Sequence, residues 1–243
     1  MQISWPSVIL ELILGLLWYL IHLFISLFDL WSCLINNLEC YLISSKLLPK
    51  YQNLHFERLK YLGVVVDSRE ANYILKIKQL LRWFSTIGVK YVVLYDIEGV
   101  LKELLLPGIE TPRDDKSRTY LDLSAHRGMD IEFLSGSDGK EGIAKAANLL
   151  YSDFCDCYTH GHNKSDIAFS EADIACALKA VGSGGPEPDL LLVYGPLRCH
   201  FGFPAWRLRY TEIMHMGSLE SMKYGSIVKA LYRFSQKYQN YGK

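Results

Sequence analysis

Apolar residues form one unbroken run near the start of the chain and fall into periodic patterns after it. From Val8 to Phe28 the sequence reads VILELILGLLWYLIHLFISLF, interrupted by Glu11 and His22. As a helix, these 21 residues extend about 31 Å, enough to cross a hydrocarbon core of about 30 Å. The run is too long for a signal-peptide core, has no basic stretch before it and no small-residue cleavage site after it, so an uncleaved anchor is expected. Glu11 and His22 lie about three turns apart on one helical face. They either meet another membrane helix or sit at the headgroups, with Glu11 close enough to the end to snorkel. Leu30, Trp31, Leu34, Ile35, Leu38, Tyr41 and Leu42 then recur with helical period, while Asn36, Asn37 and Glu39 fall between them. That segment is either an amphipathic helix on the membrane surface or a continuation of the anchor. No Lys or Arg occurs in residues 1–45, and Lys46, Lys50, Arg58 and Lys60 follow, which places the bulk of the chain on the cytosolic side.

Residues 51–60 are polar and mixed, as in a linker. Beyond them, YLGVVVD is a β-branched apolar run that predicts a buried strand. Ile74, Ile77, Leu80, Leu81 and Phe84 predict a helix that Gly88 ends, and KYVVLYD predicts the next strand. Strand, helix, strand is a βαβ unit and implies a parallel sheet. MDIEFLS (129–135) is a third strand, SGSDGKEGIAKAANLLY turns into a helix, a further helix runs from Ser170 to Val181, DLLLVYG is a last buried strand, and 219–238 is helical. The expected organisation is a membrane anchor over 1–50 (a transmembrane helix at about 8–28 plus the amphipathic segment) and one α/β parallel-sheet domain over 60–243.

Charge narrows the function classes. The chain of 243 residues carries 26 basic and 26 acidic side chains, a formal net charge of zero, which argues against a general nucleic-acid binder. Six cysteines without framework spacing agree with a reducing compartment. In CDCYTHGH, Cys155, Cys157, His160 and His162 suggest zinc, but the single residue between the cysteines is too short for the usual C-x2–4-C site, so no metal is assigned. GSDGKE (136–141) lacks phosphate-loop spacing and is read as a turn opening a helix. Asp67, at the end of the first strand, stands where α/β folds bind ligands. With Glu70 it also forms a capping-box-like pair, and the cap is the expected role because no glycine loop or arginine pair accompanies it.

Three stretches carry a resemblance: MDIEFLSGSDGKEGIAKAANLL, PEPDLLLVYGPLRCHFGFPAWRLRYTEI and the terminal NYGK. Together they resemble the accessory subunits of the eukaryotic cis-prenyltransferase complex, the Nogo-B receptor / dehydrodolichyl diphosphate synthase subunit family, a branch of the undecaprenyl diphosphate synthase superfamily. The likeness covers roughly residues 60–243, and the anchor fits it. It implies a cis-prenyltransferase-like fold behind an N-terminal transmembrane helix. Active superfamily members carry D-G-N-R-R after the first strand, where the aspartate works with Mg2+ on diphosphate. Here Asp67 is followed by Ser68-Arg69-Glu70. Where active members carry a Ser/Thr-Glu-Asn stretch after the second strand, this chain has Asp96-Ile97-Glu98-Gly99. Active members also read like P-D-L-L-I-R-T-S-G-E-Q-R-L-S-N-F. Laid over Pro188–Phe203 without gaps, Val193 and Cys199 replace arginines and Phe201 replaces a serine, while Arg198 stands one place out of register. Valine and cysteine cannot make the charge-assisted bonds that grip a diphosphate.

The resemblance also gives the C-terminal tail a role. In the family an R-x-G motif reaches across the interface to the partner's substrate diphosphate. Here Asn240, Gly242 and Lys243 take those positions, with Asn240 in place of arginine as in a plant-type member. What is implied is a non-catalytic, activating subunit, single-pass in the endoplasmic reticulum membrane with its main domain cytosolic. It would be paired with a catalytic cis-prenyltransferase that holds Mg2+ and condenses isopentenyl diphosphate with farnesyl diphosphate for dolichol synthesis and protein glycosylation. The competing readings are an enzyme active alone, through Asp67 and a shifted Arg198, and a membrane receptor or scaffold.

Overall fold

A computed structural model describes residues 5–51, 58–105, 128–159 and 169–237. Among them five strands, β1 (Tyr61–Val66), β2 (Tyr91–Tyr95), β3 (Asp130–Leu134), β4 (Leu190–Tyr194) and β5 (Glu212–Gly217), form one sheet in the order β3-β2-β1-β4-β5. All four neighbouring pairs are parallel. The helices are α1 (Trp5–Ser44), α2 (Ser68–Ala71), α3 (Ile74–Ile87), α4 (Val100–Leu105), α5 (Lys140–Thr159), α6 (Glu171–Ala180) and α7 (Tyr224–Gln236). The chain divides into two compact units: Met1–Asn53 with Lys223–Lys229, and Leu54–Met222 with Ala230–Lys243.

In the first unit α1 runs without a break through Phe28 and on to Ser44, so the periodic segment continues the apolar helix rather than starting a separate one. It is the one helix among the described residues long and apolar enough to cross a membrane, with a mean hydropathy of 2.1 over its richest window. At 40 residues it measures about 60 Å, twice the hydrocarbon thickness. Toward its middle the His22 ring lies 4.1 Å from that of Trp18. Near its end the polar residues find partners in 223–229. Lys223 Nζ donates to Asn37 Oδ1 at 2.6 Å, and Lys229 Nζ donates to Asn36 Oδ1 at 2.8 Å and to Glu39 Oε2 at 2.5 Å. Tyr51 donates to the other Glu39 oxygen at 2.6 Å. Cys40 is buried and its Sγ lies 3.2 Å from Ser226 Oγ. Leu34, Ile35, Leu38 and Tyr41 stay exposed. The docking is close because residue 225 is glycine: a Cβ there would stand 2.2 Å from the Cys40 carbonyl oxygen.

In the second unit the central strands are buried on both faces, the expected state of a parallel sheet. On one face Val65, Val93, Tyr95, Leu134, Leu191, Val193 and Phe203 form a continuous cluster. Strand alternation sends Leu62, Val64, Leu94, Leu190 and Leu192, all fully buried, to the other face. Four apolar residues of α3, Ile77, Leu80, Leu81 and Phe84, are likewise buried, and Gly88 ends the helix at φ 95°, a left-handed value that favours glycine. The helix from Ser170 begins as expected, with Ser170 and Asp173 bonded reciprocally, and those bonds hold the exposed Asp173 carboxyl below its usual pKa. α5 and α6 pack through Ala146, Ala177 and Leu178, with Trp206 against them.

Two features depart from the sequence reading. β4 is not the last strand: β5 follows it in a stretch to which the sequence reading assigns no element, because its run EIMHMG mixes Met and His, is only half-buried at the sheet edge and lacks a strand's alternation. The 219–238 helix begins only at Tyr224. A third feature had no signal in sequence. Arg207 is 1 % exposed and donates bidentately to Glu132 at 3.0 and 2.7 Å and to the Pro186 carbonyl at 2.9 Å. It ties the loop before β4 and the turn after it to edge strand β3.

The two partners of that pair differ in exposure, Arg207 at 1 % and Glu132 at 37 %. Glu132→Ala strands a buried guanidinium and should cost about 3 kcal/mol. Arg207→Met leaves a carboxylate that water can reach and should cost about 1 kcal/mol. Urea unfolding of the full chain in detergent measures both; equal losses would contradict the asymmetry. Gly225→Ala should force α1 away from residues 223–229 and expose Cys40, read as at least a tenfold faster maleimide modification of Cys40, on the order of 1–3 kcal/mol of lost docking.

Candidate functional site

The carboxyl ends of β1, β2 and β4 meet where a parallel sheet offers its ligand crevice. Asp67 leaves β1 half-buried and precedes α2, while its backbone N–H donates to the Tyr194 carbonyl at 3.0 Å. The expected capping pair does not form. The Asp67 side chain makes no cap bond, and Glu70 instead accepts from the backbone N–H of Leu219 at 2.7 Å. Leu219 is fully buried, so its N–H would otherwise lose a partner, which outweighs capping a helix of one turn.

Asp96 follows β2 and is fully buried. Its two carboxylate oxygens accept from the backbone N–H groups of Val100, at 2.8 Å, and Leu101, at 3.0 Å. Burial pushes its carboxyl above the usual aspartate range, against the pull of those backbone donors and that of Gly99, and with a smaller push from Glu98. The start of α4 is thereby occupied by an internal carboxylate. Beside it the Tyr95 hydroxyl donates to the Phe201 carbonyl at 3.1 Å. Burial first, then the charges of Asp96 and Asp138, push the Tyr95 phenol up to about 12, so it stays a neutral donor at physiological pH.

The β4 loop packs into part of the crevice. Gly195 lies where an added Cβ would stand 2.9 Å from both Asp67 Cβ and the Phe201 ring. Phe201 takes φ 47°, an uncommon value for a non-glycine residue, and packs on the cluster that contains Val193, Tyr95 and Phe203. Its Tyr95 bond and ring packing offset that cost. His215 on β5 holds the Gly195 carbonyl at 2.8 Å. Asp67, Val193 and Phe201 thus come together, with Val193 1 % exposed inside the core. Arg198 and Cys199 lie on the exposed part of the loop. Asn240, Gly242 and Lys243 lie outside the described residues, as do His160, His162 and the side chain of Cys157.

Mg2+ requires several free oxygen ligands. Asp96 has both oxygens engaged, and no group of three or more His, Cys, Asp or Glu able to hold a metal occurs among the described residues. Tyr95 and His215 escaped the sequence reading because each acts on a backbone carbonyl contributed by a remote loop.

With the architecture in view, the comparisons are consistent with it. No family model matches the chain. The fold is that of the cis-prenyltransferases. It matches a probable undecaprenyl diphosphate synthase from Campylobacter jejuni at TM-score 0.51 and 16 % identity, covering 76 % of this chain and 99 % of that one. It also matches the lavandulyl diphosphate synthase of Lavandula x intermedia in complex with dimethylallyl diphosphate, at TM-score 0.52 and 17 % identity, covering 76 % and 98 %. In sequence the chain is a homologue of proteins named as dehydrodolichyl diphosphate synthase complex subunits. It is 27 % identical to human NUS1 over 75 % of this chain and 66 % of that one, and 25 % identical to the Saccharomyces cerevisiae protein over 68 % and 52 %. The Schizosaccharomyces pombe protein is 23 % identical over 84 % and 86 %. The chain spans less than two thirds of the length of the human and budding-yeast relatives.

Returning arginines to the aligned positions should not create an anion site. Val193→Arg buries a charge in the sheet core and should cost at least about 3 kcal/mol. Cys199→Arg, on the exposed loop, should leave stability within about 0.5 kcal/mol. Calorimetry with pyrophosphate should detect binding in neither variant. Heat of binding in Cys199→Arg would show that the crevice is still open.

Proposed function

We propose that this chain is the membrane-anchoring, activating subunit of a heteromeric dehydrodolichyl diphosphate synthase, without catalytic turnover of its own. The observation that carries the reading is how the sheet's carboxyl end is filled among the described residues: Phe201 packs on the cluster that contains Val193, and Asp96 takes the donors at the start of α4. A diphosphate needs cationic or N–H donors at that place, and the site offers it carboxylates and an aromatic ring. The names of the relatives support the subunit role.

In this reading α1 holds the chain in the endoplasmic reticulum membrane with the sheet domain in the cytosol, as the basic residues after the apolar run suggest. The catalytic partner binds isopentenyl and farnesyl diphosphate, supplies Mg2+ and forms the product. Asn240, Gly242 and Lys243 reach the partner's diphosphate, with the amide of Asn240, the backbone at Gly242 and the Lys243 ammonium as donors. No step of the reaction falls to Asp67, Arg198 or Cys199.

Co-expression with a catalytic cis-prenyltransferase in cells lacking both proteins tests this. Polyprenyl diphosphate should form only when both chains are present. Removal of residues 240–243 should lower turnover about 100-fold, the cost of losing fixed donors at a reacting oxyanion, while leaving co-purification intact. Product from this chain alone would establish an independent enzyme. Failure to co-purify with any cis-prenyltransferase would favour a receptor or scaffold.

A further inference from the structure

At the amino ends of β1 and β2, at the other end of the sheet from Asp67, lies a cleft of about 480 Å³ lined by Leu59, Lys60, Tyr61, Gly88, Val89, Lys90 and Tyr91. Its size is that of a small-molecule site. The pairing of Tyr61 with Tyr91 across the two strands sets their rings 5.1 Å apart on one wall. Lys60 and Lys90 immediately precede those tyrosines and are exposed. Among the described residues neither ammonium has a carboxylate partner and neither phenol has a hydrogen-bond partner. The nearby acid Asp189 spends its Oδ2 on the backbone N–H groups of Lys60 and Tyr61, at 2.7 and 2.9 Å.

We propose that this cleft receives the phosphorylated headgroup of an anionic membrane lipid. Two ammonium groups and two phenols present several donors to one small volume, which suits the non-ester oxygens of a phosphate with a second anionic group beside it better than a lone carboxylate. Lysine and tyrosine are also the residues that favour a membrane–water boundary. Leu59 and Val89 add an apolar surface for the start of an acyl chain. The lipid source, rather than a soluble phosphate, follows from the chain path: a short connection carrying Lys46, Lys50 and Arg58 leads from the end of the apolar helix to Leu59. The inference rests on α1 being a membrane anchor and not on the synthase reading.

The full chain is placed in nanodiscs of phosphatidylcholine alone, or with one fifth phosphatidylserine, and lysine acetylation is followed by mass spectrometry. Incorporation into the phosphatidylcholine discs reports the anchor independently. Phosphatidylserine should slow acetylation of Lys60 and Lys90 about fivefold, the effect of about 1 kcal/mol per lysine at an anionic surface, and leave Lys145 on α5 unchanged. Tyr91→Ala should remove most of that protection. Equal rates in both discs would overturn the proposal. So would protection by dissolved pyrophosphate in phosphatidylcholine discs, which would make the ligand a free phosphate. Equal slowing of Lys46 and Lys50 with no effect of Tyr91→Ala would also overturn it, as general surface shielding.

Discussion

Buried hydrogen-bond donors at the carboxyl end of a parallel sheet are nearly all satisfied, by a ligand, by water or by the protein itself, because an unmade bond is costly. Here the protein satisfies several of them, although the buried Tyr194 hydroxyl at the end of β4 has no partner among the described residues. Asp96 takes the first N–H groups of α4, Glu70 takes that of Leu219, the Tyr194 carbonyl takes that of Asp67, and the Phe201 carbonyl takes the Tyr95 hydroxyl. The same bonds fix the loops after β1, β2 and β4. Among the described residues this part of the crevice is an extension of the core, with Phe201 packed on the cluster that contains Val193. Charge follows the same course: the buried guanidinium of Arg207 faces Glu132, and Arg209 lies against Glu171 and Glu187.

The long helix answers a different constraint. An amphipathic helix of a water-soluble protein buries its apolar face and leaves its polar face to solvent. The last turns of α1 depart from that order in part, although Cys40 and Ile43 are buried there. Asn36, Asn37 and Glu39 are engaged by Lys223 and Lys229, whereas Leu34, Ile35, Leu38 and Tyr41 remain uncovered by protein. The arrangement is stable when a hydrocarbon phase covers the outer face, and it suits a helix whose lipid-facing surface outlasts its first bilayer-length run.

How far this was legible in the sequence depends on range. β1, β2 and β4 were evident because burial on both faces demands unbroken runs of Val, Leu and Tyr. The C-terminal stop at Gly88 and the start at Ser170 were evident because the cap is local. β5 was not, since Met214, His215 and Met216 at a half-buried edge carry little β signal. At the site, the resemblance sets Val193 and Cys199 where active members carry arginine, but the packing of Phe201 there was not legible. That depends on Phe201 adopting a left-handed backbone and on Tyr95, far off in sequence, holding its carbonyl. The Asp67–Glu70 pair fits a local rule, which gave way to a distant buried N–H at Leu219.

That last exchange shows how the fold holds these loops with its own bonds. The sheet's stability comes from side chains that face its two layers, and the carboxyl-end loops need only closed hydrogen bonds, whatever closes them. An internal carboxylate such as Asp96 is held at a cost, as its raised pKa records, but two backbone donors aimed at it repay part of that cost. An anionic ligand would have to displace it and leave a buried acid beside a buried tyrosine. Opening this part of the crevice therefore means replacing carboxylate and ring together, since either alone still keeps the donors occupied or the volume filled.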